Sequence, residues 1–299
     1  MCVGICFGLI NTVTTHIMNI YFGQNTEQKV KKGFENAING DYNCFILGNS
    51  KMYRGINPER ITKYKAFNFA HDNDTYNQVY YKLLYLAKND VKVDALIIGT
   101  DYNCFSYMSD SRNYIYDRLF GFDYMRDYNK SVIGEVATAI GRYGKIQGEN
   151  LFITILDIPK VYNENRPIDY MKENGQFVTH GEAKVDDTVE RDGTIMDIQM
   201  EYFDKIIGKC LERGIELYVV VPPSRDVELE SYGFTAEQFE EFDSMIKSHL
   251  SDKYSNNYYN YSNLQEFKDM SNYVDVAHLN SEAADRFTTY LDNEVLLVR

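Results

Sequence analysis

The sequence predicts an α/β domain built on a parallel sheet of about five strands with helices on both faces. Three observations carry this. Short apolar runs recur along the 299 residues, and most alternate with stretches of helical periodicity. Several runs end in Gly or Pro, as strands do where they leave a sheet. The first run, 44–48, is apolar at every position rather than alternating, which suits a strand covered on both faces.

Taken in order, residues 44–48 (CFILG) are the first strand. Asn49-Ser50 follows, and Pro58 opens a predicted helix near 58–63. Residues 65–70 form a second strand. Residues 75–88 place Tyr76, Val79, Tyr80, Leu83 and Leu86 on one helical face. Residues 93–99 are a third strand. Residues 105–190, rich in Tyr, Asp and Arg, break the rhythm and are expected to be a long insertion, with a weakly apolar stretch at 151–158. Alternation resumes at 195–213, where Ile195, Ile198, Tyr202, Ile206 and Cys210 mark a helix face stopped by Gly214. Strands at 215–221 and 257–262 enclose a helix at 235–250. A last helix runs over 281–292 with Ala284, Phe287, Thr288 and Leu291 inward.

Residues 1–23 carry no charged side chain and have the length of a membrane span. Asn11, Thr12, Thr14, Thr15, His16 and Asn19 weaken that reading, so the segment is either a membrane anchor or an amphipathic packing helix. Lys29, Lys31 and Lys32 follow it, which by the positive-inside rule puts the domain in the cytoplasm. Residues 24–41 read as a polar linker helix, and 42–299 as the main domain with its insertion at 105–190.

The chain has a net charge of −13. It repels phosphate backbones, so nucleic acid is not an expected partner. Its five cysteines form no C-x-x-C pair, and its acidic residues lack metal-ligand spacing. No metal and no cofactor is therefore expected. Trp is absent and Tyr numbers 26, a bias read as composition before carbohydrate contact. Tyr80-Tyr81 and 258–261 are assigned to packing. The pentapeptide DYNCF occurs at 41–45 and 101–105, a coincidence because nothing around the copies matches.

Function in such sheets sits at the C-terminal strand ends. Gly48-Asn49-Ser50, residues 68–74 and residues 99–103 all belong there. A serine hydroxyl needs a base in hydrogen-bond reach, and the base needs an orienting partner. Asp275 and His278, three residues apart after the last strand, supply both. His16, His180 and His249 show no such pattern in the sequence and are assigned structural or surface roles.

Leu47-Gly48-Asn49-Ser50 with Arg54-Gly55-Ile56-Asn57-Pro58 resembles the first block of SGNH (GDSL-like) hydrolases. The likeness is to the branch of cell-wall polymer O-acyltransferases and D-alanine transfer proteins. Phe67-Asn68-Phe69-Ala70 and Asp275-Val276-Ala277-His278-Leu279-Asn280, then Phe287-Thr288, resemble it too. The resemblance implies a flavodoxin-like three-layer α/β/α sandwich and a Ser50–His278–Asp275 triad. It also implies acyl-ester chemistry on a cell-envelope glycan or cell-wall polymer, with a membrane-bound O-acyltransferase as acyl donor and an anchored extracytoplasmic domain. The rival is a non-catalytic envelope or glycan-binding protein on the same scaffold. The third family block, Gly-x-Asn-Asp, reads Gly99-Thr100-Asp101-Tyr102 here. A carboxylate does not donate, which leaves Asn103, two residues on, as the candidate oxyanion donor with the backbone N–H groups of Ser50 and Asn73. Arg54 and His71 are candidate substrate contacts.

Overall fold

A computed structural model describes residues 8, 9, 12, 13, 16, 26–109, 169–184 and 190–298. Most of the candidate anchor at 1–23, and the apolar stretch at 151–158, lie outside the described residues. By internal packing the chain divides into two compact units, one holding 1–32 and 112–170, the other 33–111 and 171–299. The expected insertion at 105–190 is thus split between the two. The sheet and the candidate site belong to the second unit.

Helix α1 (Thr26–Asn39) occupies the segment read as a linker. Its C-terminal half is packed: Phe34 meets Phe69 edge-on with ring centroids 4.8 Å apart and Tyr85 at 5.0 Å. The five main strands are β1 (Cys44–Leu47), β2 (Ala66–Asn68), β3 (Ala95–Gly99), β6 (Glu216–Val221) and β7 (Tyr258–Asn260). Two short strands, β4 (Tyr170–Met171) and β5 (Phe177–Val178), form a separate ribbon. The main sheet is parallel throughout in the order β2-β1-β3-β6-β7. Counted along the chain this is 2-1-3-4-5, the doubly wound order that reverses between its first and third strands.

Pleating sends successive side chains to opposite faces. Cys44, Ile46, Ala95, Ile97, Tyr218 and Val220 share one core. Helices α2 (Ser50–Gly55) and α7 (Ser281–Leu291), which pack on each other, cover it with Met52, Tyr53, Phe287 and Leu291. Phe45, Leu47, Leu96, Ile98, Leu217 and Val219 point the other way and are fully buried. Helices α3 (Tyr76–Lys88) and α4 (Asp197–Arg213) pair with each other, α4 against β6, and Tyr76 and Phe203 meet at 5.0 Å. Helices on two faces of a parallel sheet form the layering expected. The remaining helices are α5 (Asp226–Glu230) and α6 (Ala236–His249).

Three local expectations are corrected. The helix predicted at 58–63 is a single 3-10 turn, Pro58–Arg60. To propagate a helix, the Thr62 N–H would have to bond to the carbonyl of Pro58. Instead it donates to Asp292 Oδ2 at 3.1 Å, and Ile61 takes Pro58. The inward face of α4 carries Gln199 rather than Ile198. Gln199 Oε1 accepts from the Asn77 N–H (3.1 Å), satisfying a donor at the start of α3 that Thr75 does not cap. Tyr80 is only partly buried on α3. The two DYNCF copies differ in structure: the first runs into β1, the second forms a 3-10 turn at Tyr102–Cys104.

Candidate active site

Strand β1 turns into α2 through Gly48, at φ +137°. A Cβ there would lie 2.9 Å from Met52 Cγ and 3.2 Å from the Gly99 nitrogen, so only glycine fits the bend beside β3. Asn49 is extended and caps α2: its Oδ1 accepts from the Lys51 N–H at 3.0 Å. Ser50 is therefore the first helical residue, at the C-terminal edge of β1 and beside the point where strand order reverses.

The His278 loop folds back by local hydrogen bonds. Tyr273 and Leu279 form an antiparallel bridge, and Val274 N–H donates to the His278 carbonyl (2.9 Å). Asp275 Oδ1 accepts from the Ala277 and His278 N–H groups, both at 2.9 Å. Its carboxylate faces His278 Nδ1, Oδ2 at 2.7 Å and Oδ1 at 3.0 Å. His278 Nε2 lies 2.6 Å from Ser50 Oγ. A carboxylate only accepts, so Nδ1 carries the proton and Nε2 is the acceptor for the serine hydroxyl. Burial opposes the charge on Asp275, but the His278 contact and the two backbone N–H groups outweigh it and hold the carboxyl well below the usual carboxylate range.

Ser50 and His278 open on a cavity of about 270 Å³, lined also by Asn73, Asn103, Tyr107 and Arg191. The three candidate donors, Ser50, Asn73 and Asn103, thus face one space. Asn73 adopts the left-handed conformation (φ 59°), which asparagine tolerates better than most residues. Its loop is anchored by a fully buried ion pair between the neighbouring Asp74 and Lys82 of α3, with Lys82 also donating to the Phe69 carbonyl.

Asp101 does not line this cavity. It is buried and accepts from Asn49 Nδ2 at 3.0 and 3.1 Å and from the Cys104 N–H at 3.1 Å. Asp101 therefore holds Asn49, the capping residue next to Ser50. Arg54 and His71 are not in the lining either. Arg54 pairs with Asp72 and lies over the Phe177 ring, and His71 is buried against Tyr53 at 4.6 Å. Of the other histidines, His249 pairs with Asp204 across α6 and α4 (2.8 Å).

Three residues near Ser50, namely Lys51, Glu228 and Arg191, were not singled out by sequence reasoning. Lys51 Nζ is 2.7 Å from Glu228 Oε1 and 3.0 Å from Ser224 Oγ, and 3.8 Å from Asp101. Glu228 is completely buried, and Arg191 approaches it at 3.5 Å. Glu228 lies in an acidic stretch that reads as solvent-facing, and its partner is far away in sequence. The one available signal is a lysine directly after Ser50. Cys104, whose Sγ lies 3.5 Å from Asn49 Nδ2, is held as a thiol, since burial and then the adjacent Asp101 charge push its pKa well up.

The chain matches no protein-family model and no curated protein.

Proposed function

We propose that this protein is a serine-dependent acyl-ester enzyme of the SGNH type, an O-acyltransferase or esterase acting on a cell-envelope glycan or polymer. The observation that carries the reading is the 2.6 Å contact between Ser50 Oγ and His278 Nε2, with Asp275 behind it. In the first half-reaction Oγ attacks the ester carbonyl carbon as its proton passes to Nε2. The imidazolium, stabilised by Asp275, then returns that proton to the departing alkoxide as the old C–O bond breaks. An acyl-Ser50 remains. The oxygen of water or of a sugar hydroxyl next attacks the acyl carbon, the bond from that carbon to Ser50 Oγ breaks, and the attacking hydroxyl's proton passes through His278 to Oγ. Ser50, Asn73 and Asn103 are the candidate donors for the oxyanion.

A membrane-bound acyl donor and an envelope location belong to the same proposal. Among the described residues no helix is long and apolar enough to cross a membrane. One observation favours the rival scaffold reading: the family's donor position is held by an acid turned away from the cavity.

A fluorophosphonate probe separates the two readings. The enzyme reading predicts that the wild-type protein is labelled and that Ser50→Ala is not. It also predicts labelling of His278→Ala slowed at least about 100-fold, the smaller end of general-base effects. An unlabelled wild-type protein would leave only the glycan-binding scaffold.

A further inference from the structure

Beside the Ser50 cavity is a second, larger cleft of about 850 Å³. Residues 190–195 form it together with Tyr102 and parts of 232–245. Its volume falls in the range that holds a substantial ligand, whereas the Ser50 cavity, about 270 Å³, suits only a small acyl group. Arg191 lines both spaces, so they adjoin within one side chain.

The cleft has two kinds of lining. One is a contiguous set of rings: Tyr102 stacks on Phe242 with centroids 4.2 Å apart and meets Phe234 at 4.8 Å, and Phe234 stacks on Tyr232 at 5.7 Å. Phe234, which also meets Phe239 at 5.7 Å, is only partly buried, so part of its ring reaches the cleft. The C–H face of a pyranose carries partial positive charge and packs on the negative face of such rings. The other lining is acidic. Glu190, Asp192 and Glu241 are exposed at the cleft, and carboxylates accept from sugar hydroxyls or from an ammonium group. Among the described lining residues the one cation is Arg191, which already faces Glu228 at 3.5 Å. Three carboxylates against one partly neutralised arginine, on a chain of net charge −13, oppose a polyanion.

We infer that this cleft is the acceptor site, and that it takes a neutral or amine-bearing saccharide rather than a phosphate- or uronate-rich polymer. The inference rests on the acyl-ester reading for the purpose of the bound sugar, but not for its binding. A hydroxyl of the bound sugar reaches acyl-Ser50 past Arg191. Its oxygen bonds to the acyl carbonyl carbon, the bond from that carbon to Ser50 Oγ breaks, and the hydroxyl proton moves through His278 to Oγ.

The test is an array of neutral, amino-bearing and anionic oligosaccharides probed with the full-length Ser50→Ala protein. We expect binding to neutral or amino-bearing members and none to anionic ones. Phe234→Ala in that background should weaken binding about tenfold, the loss of one stacking contact. Glu190→Gln/Glu241→Gln, both surface changes that leave the fold intact, should extend binding to anionic members. Binding confined to anionic members, no binding to any member, or binding unaltered by both variants would overturn the inference. Fluorophosphonate labelling of the wild-type protein is scored separately. A labelled protein that binds no sugar refutes the acceptor cleft alone, and an unlabelled protein that binds sugar refutes the acyl chemistry alone.

Discussion

Burial opposes the charge of Asp275, yet the carboxylate is held by His278 Nδ1 and two backbone N–H groups. Its role is to fix which imidazole nitrogen bears the proton. Asp275→Asn presents an amide in place of a pure acceptor and favours the wrong tautomer. In a serine triad this substitution lowers kcat about 10⁴-fold with little change in geometry. We expect a fall of that order in p-nitrophenyl ester hydrolysis, measured on protein whose circular dichroism matches the wild type. Asp275 also makes a signed prediction for stability. Its pKa is lowered by folding, so its contribution is present above the unfolded value, about 3.9, and is lost as pH falls through the folded value. The side chain is about half exposed, at 53%, so solvent screens the effect and the increment is small. Urea unfolding should show the wild type losing its advantage over Asp275→Asn below about pH 4, and an advantage that grows on acidification would contradict the assignment. The Asp275–His278 pair was legible because it is local, three residues in one loop. The cleft residue Arg191 was not, because its partners Glu228 and Tyr232 are brought to it only by the fold.

Helices α2 and α5 are joined by charge rather than by oil. Lys51, directly after Ser50, is 7% exposed and forms an ion pair with Glu228, which is 0% exposed. Removing one partner of such a pair leaves a buried charge behind, at a cost of about 3–5 kcal/mol, whereas replacing both with apolar groups is often neutral. We therefore expect Lys51→Met to lower urea-unfolding stability by about that amount and Lys51→Met/Glu228→Leu to recover most of it. Equal stabilities for the single variant and the wild type would show that the pair does not tie these helices. The long elements were readable because periodicity sums over many residues. α3, α4, α6 and α7 lie within a few residues of where their apolar spacing puts them. Short ones were not. α5 has five residues and one fully buried side chain, Glu228, which no hydrophobic pattern reveals. The turn at Pro58–Arg60 starts as a helix should, but Asp292 of the C-terminal turn takes the next N–H, a competition visible only in three dimensions.

At the scale of the molecule, the parallel sheet brings the ends of β1 and β3 side by side, Leu47 opposite Ile98. The crevice at such a reversal of strand order is where doubly wound sheets place their chemistry. Ser50 follows one strand and Asn103 the other, while the His278 loop arrives after β7. That arrangement was legible because strands buried on both faces are apolar where they cross the core, and the runs at 44–47, 95–99 and 217–221 are. The division of the chain into two units was not, since 1–32 and 112–170 join across a long sequence separation with no motif to announce it. The proposed chemistry at Ser50 passes through a covalent acyl intermediate. The most direct measurement is intact and peptide mass spectrometry after rapid quenching of the protein with p-nitrophenyl acetate. The predicted result is a single acetyl group on the peptide containing Ser50, absent from Ser50→Ala and strongly reduced in His278→Ala. No adduct on the wild-type protein, or an adduct unaffected by the loss of His278, would contradict it.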